Sequence, residues 1–321
     1  MNNKTNAKQT TRMIDLKKDL GQVADLIELC FHHYMDPDGK RYLEQIRKAA
    51  TNRLQQRVIK INGMQISYPI YGFVWEIDNQ IVGNITIIPH LHHGKWFFLV
   101  ANIAVHPDHR RKGIARELTQ KAIDYLNENN VHVIWLQVRE DNEYAINLYR
   151  SLGFKDKAIR TMWILKNIDN LDLRTEKEII IDRRKKSNWK VINNLLYETY
   201  PKEINWYLPF DIRLFKPGIF MFLFKIFYGK ISTHWEARLN NEFIGSASWQ
   251  PTNMFADFIW LAVKEQYLNE AIEALLIKLD QYVVLKKPLL INYPFGKGTN
   301  AFINAGFRVH NSFIWMEYSR E

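Results

Sequence analysis

The run that begins Val82-Gly83-Asn84 and ends at Pro89 has a counterpart about 162 positions later, from Ile244-Gly245-Ser246 to Pro251. Two further echoes follow in the same order. Asn102-Ile103-Ala104-Val105 returns as Trp260-Leu261-Ala262-Val263, and Leu152-Gly153-Phe154 returns as Ala305-Gly306-Phe307. A hairpin, a strand and a helix-to-strand corner repeated in one order point to a tandem duplication, with the same architecture expected of both halves; the alternative is that Gly-Phe and Ala-Val pairs recur by chance. Its 321 residues exceed one ordinary core and suit two. The polar stretch 166–177 carries neither helical nor strand period, and the boundary is placed there, giving domains 1–166 and 167–321.

The periodicity of the first half sets the fold class. Val23, Leu26, Ile27, Cys30 and Phe31 recur at the three-and-four spacing of a helix, and a charged helical stretch follows over 41–57. Residues 72–77 and 81–88 are β-rich and flank Asp78-Asn79-Gln80, the chemistry of a hairpin turn. A strand over 96–105 leads to a helix over 113–129, with Ile114, Leu118, Ala122 and Leu126 on one face. The nearly continuous apolar run 131–138 reads as a central strand buried on both faces. A helix over 141–152 stops at Gly153, and 159–165 closes the unit. The expectation is an α/β (α+β) protein in which a mixed sheet flanked by helices occurs twice.

Composition narrows the setting. Cys30 is the single cysteine, which rules out an intramolecular disulfide and any cysteine-based metal cluster and suits a reducing, cytoplasmic location. No run of 18 apolar residues could span a bilayer, and residues 1–11 lack the apolar core of a signal peptide. The Phe-rich residues 219–228, interrupted by Lys225, suit a domain interface better than a membrane anchor. A net charge of +10 favours anionic partners without choosing among them, and no nucleic-acid-binding motif accompanies it.

The chemistry concentrates in the loop between the strand at 96–105 and the helix that follows. A helix start leaves backbone N–H groups unpaired and carries partial positive charge, so small residues there let a phosphate approach the backbone. Gly113 and Ala115 give that access, while Arg110, Arg111 and Lys112 add charge. The loop therefore reads as an anion site suited to a diphosphate or, with no ligand, as a solvated basic helix start.

Arg110-Arg111-Lys112-Gly113-Ile114-Ala115 resembles the phosphate loop Gln/Arg-x-x-Gly-x-Gly/Ala of the Gcn5-related N-acetyltransferases, including the Val-His-Pro lead-in. A second signature of that family, Asn-x-x-Ala-x-x-Leu-Tyr-x-x-x-Gly-Phe, is matched at each fixed position by Asn142, Ala145, Leu148, Tyr149, Gly153 and Phe154. The resemblance is close over 12–165 and holds only in outline beyond. It implies acetyl-CoA as co-substrate, with the backbone amides of 111–115 holding the diphosphate. It further implies that Ala104 and Val105 pair with the pantetheine arm, that Asn142 hydrogen-bonds that arm, and that Tyr149 protonates the departing thiolate. The acceptor amine attacks directly, so Cys30 need not take part. No metal is implied.

The chain departs from the family where many members carry an acid before the phosphate loop; here Ala101 and Asn102 stand. Candidates for the base are Glu76, His90, His92 and His93. As a metal cluster, the histidines lack distant ligands and read better as a polar connection. In the second half, Lys264-Glu265-Gln266-Tyr267-Leu268-Asn269-Glu270 replaces the phosphate loop, and Phe302 stands at the place of Tyr149. That half is expected not to bind coenzyme A. Gly296-Lys297-Gly298-Thr299-Asn300-Ala301 imitates a dinucleotide fingerprint, but too little chain follows it, so it reads as a turn before a helix. The expected activity is acetyl transfer to a small-molecule or peptide amine; the alternative is a noncatalytic acetyl-CoA sensor or adaptor.

Overall fold

The computed structural model describes residues 9–51, 59–61, 64–66, 71–166, 179–209, 211–218, 232–283 and 286–320. The Phe-rich residues 219–228 and all but the first residue of the polar stretch 166–177 lie outside these. Among the described residues, no helix is long and apolar enough to cross a membrane.

Two compact units are present, one of residues Met1–Lys157 with Ile314–Glu321 and one of Ala158–Phe313. Where the sequence suggested a single cut near 166, each unit is instead closed by a strand from the far side of that cut. The reason lies in the buried faces of these strands. Ile314 and Met316 pack into the core of the first unit, whereas Trp163 and Leu165 pack into the core of the second.

The first unit runs β1 (Gln9–Met13), α1 (Leu20–Phe31), α2 (Pro37–Thr51), a ribbon of β2 (Ile59–Ile61) and β3 (Met64–Ile66), β4 (Tyr71–Ile77), β5 (Gln80–His92), β6 (Lys95–Val105), α3 (Ile114–Glu128), β7 (Val133–Arg139), α4 (Glu143–Ser151) and the start of β8 (Lys155–Leu165). Its sheet order is β1-β4-β5-β6-β7, followed by the C-terminal part of β14 (Arg308–Ser319). One face is covered by α3, which buries Ile114, Leu118, Ala122, Ile123 and Leu126; the other is covered by α1 and α2. Each such aliphatic side chain contributes about 1.5–3 kcal/mol on full burial, and this apolar stripe seats α3. A Cβ on Gly83 would lie 2.8 Å from Ile114 Cγ2 and 2.9 Å from Trp75 Cβ, so only glycine lets the head of α3 sit this close to β5.

The second unit runs β9 (Ile179–Arg183), α5 (Trp189–Thr199), β10 (Thr233–Leu239), β11 (Glu242–Gln250), β12 (Asp257–Val263), the helix Leu268–Ile277, β13 (Leu289–Pro294) and the helix Thr299–Asn304. Its order is the C-terminal part of β8, then β13-β12-β11-β10-β9.

The repeat extends to backbone detail. Asp78 (φ 48°) and Asn79 (φ 65°) turn β4 into β5, and Asn240 (φ 49°) and Asn241 (φ 65°) turn β10 into β11, both as two-residue left-handed turns. Phe154 N–H donates to Tyr149 O at 3.1 Å, and Phe307 N–H donates to Phe302 O at 2.9 Å. His106 N–H reaches Val82 O at 2.8 Å, as Lys264 N–H reaches Ile244 O at 3.0 Å. Both halves therefore form tandem mixed-sheet domains flanked by helices, the class expected from the sequence.

Candidate active site

Strands β6 and β7 pair in parallel at Phe98↔Ile134, Leu99↔Trp135 and Val100↔Leu136, and at no later position among the described residues. Residues 101–105 and 137–139 diverge into a notch. The local cause is a bulge: the β5–β6 register passes from Thr86↔Ala101 to Asn84↔Ala104, so one residue of β5 faces two of β6. Asn102 takes φ 51°, a left-handed conformation that asparagine tolerates better than most residues. The bulge turns the β6 backbone away from its partner. Neutral side chains hold it in place: Asn84 Nδ2 donates to Asn102 O at 2.9 Å, and Asn102 Nδ2 donates to the Tyr42 hydroxyl at 3.1 Å.

At one end of the notch lies the loop into α3. Arg111 (φ 61°) and N-cap Gly113 (φ 82°) are both left-handed, which folds the backbone into a concavity of N–H groups. The backbone N–H groups of residues 111–116 reach no protein acceptor among the described residues. Nothing lies within 4 Å of a Cβ built on Gly113, so its surroundings are open and its φ is what demands glycine. The basic side chains fold onto the protein. Arg110 Nε donates to Val105 O at 3.1 Å, Lys112 Nζ to Asp108 O at 3.0 Å, and Arg111 Nη2 to the Tyr144 hydroxyl at 3.0 Å. The free donor row is thus backbone, with three cations around it, and this donor set fits a diphosphate.

Asn142 is the N-cap of α4, and its Oδ1 accepts Ala145 N–H at 3.2 Å. The capping oxygen is therefore committed, which leaves the amide NH₂ to face outward. Seven residues on, Tyr149 is 6% exposed, sits in one cluster with Val100, Leu136 and Val138 of the notch strands, and meets Phe154 edge-on at 6.1 Å. Its hydroxyl has no hydrogen-bond partner among the described residues. Burial pushes the phenol well above its usual pKa, so it carries its proton at neutral pH. Cys30 touches Val105 O at 3.4 Å, and burial raises its thiol pKa against the lowering effect of Arg110.

Ala104, Val105, the 110–115 loop, Asn142 and Tyr149 lie about one notch, and Glu76 is engaged by a cation. Its Oε2 accepts Arg12 Nε at 2.8 Å within an Arg12–Glu76–Asp19 ion cluster. It pairs with Ile81, two residues along β5 from Gly83, the partner of Val105, and five from Thr86, the partner of Ala101. A carboxylate already matched to a guanidinium is poorly suited to accept a proton. His90 and His92 lie at the tip of the β5–β6 hairpin opposite Phe97 and Lys95, with His93 (φ 50°) in its turn.

Sequence reasoning passed over Gln137. The β7 residues Ile134, Leu136 and Val138 face α3, so Trp135, Gln137 and Arg139 face the α1–α2 side, and the Arg139 guanidinium lies 4.0 Å over the Tyr34 ring. A polar residue inside an otherwise apolar central strand was the available signal.

The second unit differs at each of these places. β11 and β12 keep one register from Gly245↔Val263 to Gln250↔Phe258, without a bulge. The fully buried Tyr200 places its hydroxyl on Leu261 N–H at 3.2 Å, and Trp260 packs edge-on against it at 5.1 Å. Glu265, near the helix start, pairs with Lys297 at 2.8 Å.

The sequence pattern of the acetyltransferase (GNAT) family matches residues 30–154. An N-alpha-acetyltransferase of Sulfurisphaera tokodaii is 34% identical over 149 residues, covering 38% of this chain and 84% of that protein. The chain belongs to the GNAT family of acetyltransferases. It is also 49% identical over 59 residues to the [Ribosomal protein bS18]-alanine N-acetyltransferase of Escherichia coli, covering 18% of this chain and only 40% of that relative. Over its whole length it shares the fold of a GCN5-related N-acetyltransferase from Sphaerobacter thermophilus, with a TM-score of 0.53, 12% identity, and coverage of 97% of this chain and 95% of that one.

Proposed function

We propose that the first unit transfers an acetyl group from acetyl-CoA to the α-amine of a peptide or protein. The observation that carries this reading is the row of free backbone N–H groups at 111–116, open at the end of the notch. The diphosphate would lie on those amides, and the acyl-bearing arm would follow the unpaired edge at Ala104 and Val105, beside the Asn142 amide. The acceptor nitrogen attacks the thioester carbon, the C–S bond breaks, and Tyr149 gives its proton to sulfur. The proton lost by nitrogen restores the phenol. A raised pKa suits this donor, because the phenol is fully protonated when needed. The choice of an α-amine draws on the relatives, whose names specify alanine and N-alpha acetylation.

The second unit stays silent in this reading. Leu261 N–H, on the strand equivalent to β6, is already taken by Tyr200, and the helix start offers a carboxylate where a diphosphate would need donors.

Calorimetric titration with acetyl-CoA tests both statements. Wild type should bind one equivalent per chain, and Gly113→Glu, which adds strain, bulk and negative charge, should weaken binding beyond detection. No binding by wild type overturns the assignment, and two equivalents overturn the silent second unit.

A further inference from the structure

We propose that Gln137 selects the acceptor: it holds the attacking amine with a side chain that cannot take up its proton, and so restricts the reaction to amines already uncharged near neutral pH. The inference rests on the acetyl-transfer reading of the same notch.

Gln137 is the first residue of β7 beyond the last β6–β7 pair, Val100↔Leu136, so it stands where the strands part. It is half-buried on the α1–α2 side, between Trp135 and Arg139, and its amide has no partner among the described residues. Across the notch stand Ala101 and Asn102, with Tyr42 and Thr86 behind them. The strand segments 101–105 and 137–139 carry no Asp or Glu.

Carboxylates on the neighbouring elements are engaged elsewhere. Asp36 accepts Gly39 N–H at 2.7 Å, Asp38 pairs with Arg41, and Glu28 pairs with Arg47 at 2.6 Å. Asp141, its pKa lowered by Arg139, pairs with that residue at 2.6 Å, while Glu44 and Glu140 face solvent. Of the other ionisable groups, Arg139 is held protonated by Asp141, and Tyr149 and the Cys30 thiol keep their protons at neutral pH because burial raises their pKa values.

A carboxamide oxygen accepts one N–H of a primary amine and leaves the nitrogen lone pair free for the acetyl carbon. It does not deprotonate an ammonium. At pH 7.5 an α-amine of pKa about 7.7–8.0 is roughly one-quarter to two-fifths neutral, whereas a lysine ε-amine of pKa about 10.4 is only about 0.1% neutral. Protonation alone then separates the two acceptors by roughly two orders of magnitude, without any pocket for the side chain.

The test measures kcat/KM from pH 6 to 10 for wild type, Gln137→Glu and Gln137→Ala. One peptide has a free α-amine and no lysine; the other has a blocked N-terminus and one lysine. Acetyl-CoA binding is titrated alongside to show that each variant folds. For wild type, the rate on the first peptide should rise with unit slope to a plateau set by that amine's own pKa, and the lysine peptide should be about 100-fold slower at pH 7.5. Gln137→Glu should raise the lysine rate at pH 7.5 at least tenfold and extend activity to lower pH on the α-amine. Gln137→Ala should raise KM for the peptide while leaving the pH profile in place. Comparable wild-type rates on both peptides, or an acid limb that lies below the amine pKa and is unmoved in Gln137→Glu, would overturn the proposal. If wild type binds acetyl-CoA but acetylates neither peptide, the acetyl-transfer reading fails and takes this inference with it.

Discussion

In the first unit the strand before the helix start is bulged at Asn102, and its edge faces an open notch; in the second, β12 runs in constant register and Tyr200 covers the equivalent edge. The left-handed turns, the tightly packed glycines Gly83 and Gly245, and the Gly-Phe corners are common to both. Duplication has therefore kept what the cores require, and the units diverge at a few positions that leave backbone donors free or occupied. Apolar packing tolerates many sequences, whereas a ligand site depends on particular unpaired groups.

Exchanging the aromatic side chains that follow each helix start tests this contrast most severely. Tyr149→Phe should lower kcat by about 10²–10⁴-fold, the usual contribution of a positioned general acid, with acetyl-CoA affinity retained. Phe302→Tyr should leave the rate unchanged. An unaffected rate in Tyr149→Phe would remove the general-acid role and with it one of the distinctions between the units.

A smaller effect is expected in the second unit. Tyr200→Phe keeps the ring but strips Leu261 N–H of its acceptor, at a cost of about 1–3 kcal/mol in chemical denaturation. Burial pushes the Tyr200 phenol up to about 12, so its folded pKa exceeds the unfolded value of about 10. The stability it contributes is therefore complete below pH 10 and is lost as pH rises toward 12. Tyr200→Phe should flatten that decline, and an unchanged slope would show that the hydroxyl is not held as described.

Asn142→Ala should have the smallest effect. Removing the N-cap of α4 costs about 1 kcal/mol, within a usual range of about 0.5–2, measurable as a lower denaturation midpoint. If acetyl-CoA affinity also falls, the outward NH₂ of this residue contacts the co-substrate; if only stability falls, Asn142 serves as a cap alone.

Much of the fold was legible in the sequence because its signals are local. The three-and-four spacing in α1 and α3, the Asp78-Asn79 turn and the apolar run of β7 each depend on neighbours within a few residues. Helix α2 begins at Pro37, four residues before the expected start, since proline is well suited to a first turn despite the charged residues around it. The loop over 110–115 was legible for the same reason, being part of one contiguous strand-loop-helix segment. The ion pairing of Glu76, a candidate base, was not legible, because its type and hairpin position gave no sign of Arg12, 64 residues away in sequence.

The sequence by itself determined the duplication, the order of elements, the glycine-bearing loop at the start of α3, and the different residues that stand at the equivalent place in the second half. Only the tertiary structure decided which strand closes each unit, where β6 and β7 part, that Gln137 rather than an acid stands at that parting, and that Tyr200 occupies the second unit's open edge. The first set follows from backbone geometry and periodicity within a short stretch of chain. The second depends on which distant hydrogen-bonding groups find one another, and periodicity carries no record of that pairing.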